Sequence, residues 1–560
     1  MLVPHSRLTP ADEKVVSSRS TVRHSSVVVS HERPSRVPRL LASGRAPSGG
    51  ACRRGHVGLV SHFAHGKSRR PRNRCWCRGN AWTVGGATLT AEPYWSWSAA
   101  RIARAVASRQ VRCREVTESC LARLDEVNGD LVAVVDVDAA GALAAADRAD
   151  EKVDRGEPLG VLHGVPVTTQ VNVDQHGCAT TNGVRAFKHR LALNDNPVVG
   201  SLREAGAIIL GRTNTSSSSW RWFTDNELYG RTLNPLNSEI TAGGSSGGAA
   251  AAVSAGIVPV AQGSGSVGSI RYPAFACGVL GLRPTQGRIP CFDATEPTDS
   301  PPFSQLMSVQ GALTRTVEDM RLALQAMAKP SDLDPWSVPV PLELAPTAPC
   351  RVAMVRSVPW AAVDVSVSSE VDAAARLLAA DGYELVEVLP PSFEQVMEVF
   401  RAKAWEARNR LLHQVGELGD RSVRDVAEAM TSLAAGMDGD RYLELFARRT
   451  TILREWSAFL DDYPLILLPV SWRRPFPADH DQRGPDMVRE LVDALEPSIA
   501  ASICGLPALA VPTSIGPAGP GGVQLVAGRF REDRCLSTAE VLLRDDPAHA
   551  LRRDPPALMS

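Results

Sequence analysis

Between Thr241 and Pro273 the chain reads TAGGSSGGAAAAVSAGIVPVAQGSGSVGSIRYP. Its residue types and spacing could support serine chemistry. A serine hydroxyl becomes a useful nucleophile when a neighbouring base takes its proton. Turns built on glycine leave backbone N–H groups free to meet a developing negative charge. Three simpler explanations compete. Gly263, Gly265 and Gly268 fit G-x-G-x-x-G, but a dinucleotide fingerprint needs a helix opening at the third glycine. Pro273, Gly278 and Gly281 break the stretch that follows. Gly243, Ser245 and Gly247 fit G-x-S-x-G, but a nucleophile elbow needs an apolar strand running into it. Asn234–Thr241 is polar and turn-like, which also weighs against a triad with Asp479 or His480. The third explanation is that G-G-S-S-G-G only makes tight loops, and the long-range context weighs against it.

The elements that must position this segment follow from periodicity. Helical spacing runs over 97–126 through Ile102, Val106, Val111, Val116, Cys120, Leu121 and Leu124, and an alanine-rich helix is expected over Ala139–Arg155. Short apolar runs at Gly164–Val167, Ala207–Leu210 and Ile257–Ala261 read as buried strands. They alternate with helices at Pro197–Glu204 and Ala249–Ala255. The alternation predicts an α/β architecture around a largely buried sheet. Residues 330–348 are proline-rich and read as a connector. Beyond them, strands are expected at Cys350–Arg356, Tyr383–Val388, Leu465–Val470, Ala508–Val511 and Val523–Val526. Helices are expected at Val371–Ala380, over most of 393–462, and at Leu536–Leu543.

Charge divides the 560 residues unevenly. Residues 1–90 hold 16 Lys+Arg against 3 Asp+Glu, and the remainder holds 45 against 58. The body is therefore mildly acidic, with no global sign of nucleic-acid binding. The first 90 residues are rich in Arg, Ser, Pro, Gly and His. They fit a disordered tail, an acid-poor transit peptide or an upstream extension from a mis-chosen start, and all three readings stay open. Residues 549–560 read as a tail. The eleven cysteines are scattered, which fits reduced thiols in the cytoplasm. Cys75 and Cys77, even with His62 and His65, make a poor metal-ligand spacing. No apolar run reaches membrane-spanning length.

Ordered motifs over residues 95–545 resemble the amidase signature family. Its members carry G-G-S-S-G-G, a small-residue helix, then roughly G-T-D-x-G-G-S-I-R near a Y-P or F-P pair. Here Gly243–Gly248, Ala249–Gly256 and Gly263–Arg271 followed by Tyr272-Pro273 match that order. Gly164–Val167 matches the strand that leads to the family's catalytic lysine. Gly211–Asn214, Leu228–Pro235, Gly281–Thr285 and Gly505–Ala508 match further motifs. The resemblance implies one domain over 91–548, with a mixed sheet between layers of helices. Its core motifs fall at 160–290 and its substrate-shaping helices at about 390–500. It also implies a Ser–Ser–Lys amidohydrolase without metal or cofactor. Ser269 would be the nucleophile, and Ser245 the bridging serine, commonly in a cis linkage. Ser266, Val267 and Gly268 would form the oxyanion hole, and Gly243, Gly244 and Ser246 would bind substrate. The expected partner is a small-molecule amide, with no nucleic acid and no membrane. A homodimer is compatible with this reading.

The same alignment shows departures. The lysine position falls on Gln170, and an amide cannot act as a proton base near neutral pH. Losing general-base work costs on the order of 10²–10⁴ in rate. Gly265 stands where the family usually has Asp, and Val267 where glycine is usual. A β-branched residue there would be strained if the backbone needed positive φ. Ser216–Ser219 replaces a segment often rich in Pro, Glu and Phe. Three readings follow: an amidohydrolase, weak or with a rearranged relay; an amidase-fold protein that binds without hydrolysing; or a sequence error or deliberate mutation at Gln170. Of the remaining residues, Asp479-His480-Asp481 reads as a surface charge network with Arg473, Arg474 and Arg483. Cys178 reads as a buried thiol, and Trp220 and Trp222 as pocket wall or core. Phe400, Trp405, Leu443, Phe446 and Trp456 permit a medium-sized apolar acyl or aryl group.

Overall fold

The computed structural model describes residues 82–84, 87–89, 92–296, 298–342, 349–410, 412–516 and 519–544. The readings made for residues 1–78, with their cysteines and histidines, and for the tail 549–560 lie outside the described residues. Strands β1 (Trp82–Val84) and β2 (Ala87–Leu89) pair antiparallel.

The main sheet contains eleven strands. In chain order they are β3 (Val134–Val137), β4 (Pro166–Gln170), β5 (Ile208–Thr213), β6 (Val260–Gly265), β7 (Leu280–Arg283), β8 (Val309–Thr314), β9 (Arg351–Met354), β10 (Glu384–Glu387), β11 (Leu465–Pro469), β12 (Ala508–Gly516) and β13 (Gly519–Ala527). Across the sheet the order is β10-β9-β11-β13-β12-β7-β8-β6-β4-β5-β3. The sheet is mixed. β4 runs parallel to both β5 and β6, whereas β6–β8, β7–β8 and β12–β13 are antiparallel. Every residue of β4, β5, β7, β8 and β11 is buried. Because successive side chains point to opposite faces, both faces of the sheet centre must be covered. This is the α/β arrangement expected from the alternation.

Most helices fall where expected, and Ala139–Arg155 and Pro197–Glu204 do so to the residue. The single helix expected over 97–126 is two, Ala99–Ala107 and Cys113–Leu131. Arg109 takes a left-handed φ of 59°, while the N–H groups of Arg109 and Gln110 return to Val106 O and Ala105 O. That pattern closes the first helix, and hydrophobic spacing cannot register it. The helix Gly247–Ser254 is buried at all eight positions, as an element apolar on every side must be.

The three apolar runs expected as strands lie earlier than the strands themselves. β4, β5 and β6 extend into Thr168-Thr169-Gln170, Gly211-Arg212-Thr213 and Gln262–Gly265. Some of the polar side chains at these ends are hydrogen-bonded, while Thr168 Oγ1, Gln170 Nε2 and Arg212 Nε have no partner among the described residues. Thr213 Oγ1 donates to Thr169 O (3.2 Å), and Gln262 Oε1 accepts from Gln170 N (2.9 Å). β3, β7 and β8 carry no signal that the apolar runs revealed.

Candidate active site

Three parallel strands, β5-β4-β6, present their carboxyl ends at one edge of the sheet. Ligands in such sheets bind outside those ends. A cavity of about 340 Å³ opens there, and Asn172, Ser264 and Gly265 line it just beyond or at the ends of β4 and β6. Ser245, Ser266, Val267 and Ser269 line the same cavity. Serines 24 positions apart thus meet on one wall, both nearly buried (Ser245 1%, Ser269 7% exposed). The Gly244–Ser245 peptide bond is cis.

The turn that carries Ser269 has a second property. Among the described residues, the backbone N–H groups of Ser266, Val267, Gly268 and Ser269 donate no hydrogen bond. Free donors clustered beside a nucleophile are what a developing oxyanion requires. The positive φ of this turn is at Gly268 (110°), and Val267 is not among the residues with positive φ. The strain considered for a β-branched residue at 267 therefore does not arise. Val267 lines the cavity, and its carbonyl accepts from Trp222 Nε1 (3.2 Å).

Gly265 is required by close approach. A Cβ there would lie 2.9 Å from Ser269 Cβ and 3.2 Å from Ser269 N. The aspartate expected from the family pattern would collide with Ser269 in its present position.

Gln170 ends β4 and is fully buried. Its Oε1 accepts from Ser264 Oγ (2.9 Å), which also accepts from Asn172 Nδ2 (2.9 Å). Its Nε2 is buried without a partner among the described residues. Ser246 continues this network behind the cavity wall. Its Oγ donates to Ser264 O (3.0 Å), and its N–H donates to Ser269 O (3.2 Å). Ser246, Gly243 and Gly244, expected to touch substrate, do not line the cavity. A Cβ on Gly244 would meet Arg221 O at 2.5 Å, so this glycine serves the packing of the Ser245 loop. Among the described residues no lysine or histidine is hydrogen-bonded to Ser245 or Ser269, and the two hydroxyls are not bonded to each other.

Other parts of the wall were partly foreseen. The helix Val396–Arg410, within the region expected to shape substrate, contributes Phe400, Lys403, Ala404 and Ala407. Their i, i+3, i+4, i+7 spacing is one helix face. Trp220 lines the cavity, whereas Trp222 is buried core. Leu443, considered for the pocket, is 62% exposed, and Trp456 packs against Phe393. Cys178 does not line the cavity. Lys403, Asp293 and Asn172 were missed. Asn172 had a local signal, two residues beyond Gln170, and Lys403 had the helix spacing shared with Phe400. Burial lowers the proton affinity of Lys403 and pushes the Asp293 carboxyl up to about 7. It pushes the Cys291 thiol up to about 12, so the cavity's thiol is a poor nucleophile near neutral pH.

The surface charge network expected at 479–481 needs correction. Asp481 is buried and pairs with fully buried Arg221 through two bonds of 2.8 and 2.9 Å. Its partner comes from the loop behind Ser245, which sequence distance concealed. Asp479 pairs with Arg231 and His480 with Glu490. Two other clefts, of about 500 and 520 Å³, contain neither Ser245 nor Ser269 and are lined largely by charged side chains.

Two buried serines near the carboxyl ends of a parallel strand trio, beside N–H groups unengaged among the described residues, are groups of the kind that acyl transfer uses. The chain belongs to the amidase family: the family model "Amidase" matches residues 115–536. It is 39% identical over 455 residues to an indoleacetamide hydrolase of Bradyrhizobium diazoefficiens, covering 80% of this chain and 86% of that protein. It is 33% identical to an acylamidase of Rhodococcus erythropolis, covering 79% and 94%. Among solved structures, a bacterial aryl acylamidase of the amidase signature enzymes superposes with a TM-score of 0.72 at 25% identity, covering 83% and 100%. No described helix is long and apolar enough to cross a membrane.

Proposed function

We propose that this amidase-family hydrolase cleaves a carboxylic amide to an acid and an amine or ammonia through an acyl-enzyme on Ser269. Ser245 acts as the bridging serine. The observation that carries the reading is the shared wall: Ser245 and Ser269 face one cavity beside four backbone donors with no partner. The Ser269 hydroxyl attacks the amide carbon, its proton passes toward Ser245, and the N–H groups hold the oxyanion. The leaving amine departs protonated, and water then releases the acid. The apolar part of the wall, with Phe187, Trp220 and Phe400, suits an aryl or alkyl acyl group. The similarity to the indoleacetamide hydrolase supports an arylacetamide of that kind in a substrate panel.

Gln170 supports a second reading, in which the cavity binds its amide and turns it over slowly or not at all. A glutamine occupies the expected lysine position, and its carbonyl is already engaged by Ser264. Without a base, turnover falls on the order of 10²–10⁴. A fluorophosphonate labels Ser269 in the native chain and fails in Ser269→Ala; equal labelling of both removes the nucleophile assignment. Gln170→Lys raises amide turnover across a panel of aryl and alkyl amides. If native and Gln170→Lys chains both cleave none of them, binding without hydrolysis is the better account.

A further inference from the structure

One lysine, Lys403, lines the cavity without a salt bridge among the described residues. Lys403 Nζ donates to Ser304 Oγ (3.1 Å), and among the described residues no carboxylate lies within salt-bridge distance of it. An ammonium has three donors, and one neutral hydroxyl satisfies only one of them. Glu406, one turn along the same helix, is occupied: it accepts from Phe303 N, Ser304 N and Tyr442 Oη.

The cavity's two carboxyl groups are also engaged. Glu296 pairs with Arg190 at 2.9 Å. Asp293 accepts from Asp174 N (2.7 Å) and Asn196 Nδ2 (2.9 Å), and burial favours its neutral form. Lys403 makes no salt bridge among the described residues, although the charge of Glu406 acts on it from one turn along the helix; the Ser304 hydroxyl lies beside it, and Ser300 and Ser308 line the same cavity. A partly buried ammonium in this setting is stabilised by an anion supplied from outside.

We infer that Lys403 and Ser304 form an anion-recognising subsite, so that the preferred amide carries a carboxylate or similar anionic group away from the bond to be cleaved. Phe400, Ala404 and Ala407, on the same helix face, hold the apolar body that joins the two ends. The inference deepens the amidase reading by naming its substrate class, but it concerns binding and does not require turnover.

The test uses the full chain carrying Ser269→Ala, so that nothing is consumed. Calorimetry compares dicarboxylic acid monoamides, from succinic to suberic, with their methyl esters. At the length that spans the cavity, the acid binds about 10-fold or more tightly than its ester, the range of one charge-assisted hydrogen bond. Lys403→Met erases that preference while ester affinity stays within a few-fold, and Lys403→Arg retains part of it. Equal binding of acid and ester at every length overturns the subsite, as does a preference that survives Lys403→Met. Absence of Ser269 labelling together with a Lys403-dependent acid preference would remove the hydrolytic reading and leave the subsite standing.

Discussion

At the scale of single residues, the site depends on two positions with no nucleophile of their own. Gly265 lets the Ser269 turn fold back onto β6, and any Cβ there meets Ser269 Cβ at 2.9 Å. Gly265→Ala must displace the serine, and a misplacement of about 1 Å can cost on the order of 10² in rate. Fluorophosphonate labelling of Ser269 in that variant is expected to slow by about that factor; an unchanged rate would show that the turn tolerates the methyl group. Gln170 is the other position. Its identity was legible from the strand motif, but its setting was not. Only folding revealed that Ser264 already holds its carbonyl and that its Nε2 is left without a partner. The residues brought together here stand 92 to 94 positions apart, and no local pattern encodes that contact.

At the scale of elements, the loop behind Ser245 is fastened from a distance. Arg221 and Asp481 are each almost fully buried and form a bidentate ion pair. Removing Asp481 leaves Arg221 only longer contacts to Asp225 (3.6 Å) and Asp479 (4.0 Å), so the loss falls at the low end for a broken buried pair, about 3 kcal/mol. Asp481→Ala is expected to lower stability by that amount in chemical denaturation. Asp147→Ala breaks an exposed pair with Arg114 and should change stability by about 1 kcal/mol or less. Similar losses from both variants would mean that the buried pair adds nothing beyond a surface one. Strand positions were legible as apolar runs, but their functional ends were not. β4, β5 and β6 continue into polar residues whose backbones stay paired with neighbouring strands, so the site begins where the hydrophobic signal stops.

At the scale of the whole molecule, a buried carboxyl group ties the helix Ala99–Ala107 to the middle of the chain. Asp319, fully buried in the helix Val317–Met327, accepts from Ala100 N at 3.0 Å and so holds the helix Ala99–Ala107. Burial raises its carboxyl from 3.8 to about 6. The folded state then binds more protons than the unfolded state between those values, so stability falls as pH rises from about 4 to about 6. Two units correspond to on the order of 2–3 kcal/mol. Asp319→Asn, which keeps an acceptor for Ala100 N, should flatten that slope in thermal unfolding followed across the window. An unaltered slope would assign the pH dependence to other groups.

The sequence by itself determined the family, the α/β architecture and the two serines, because those depend on short contiguous motifs whose spacing survives in one dimension. The family resemblance also placed substrate-shaping helices at about 390–500, and the helix Val396–Arg410 within that range lines the cavity. The tertiary structure alone decided which hydroxyls and N–H groups line one cavity, what engages Gln170, and that Lys403 lines that cavity with no salt bridge among the described residues. Those features arise from strands and helices distant in the chain meeting at one edge of the sheet, where burial and unmatched polar groups are properties of the packed molecule.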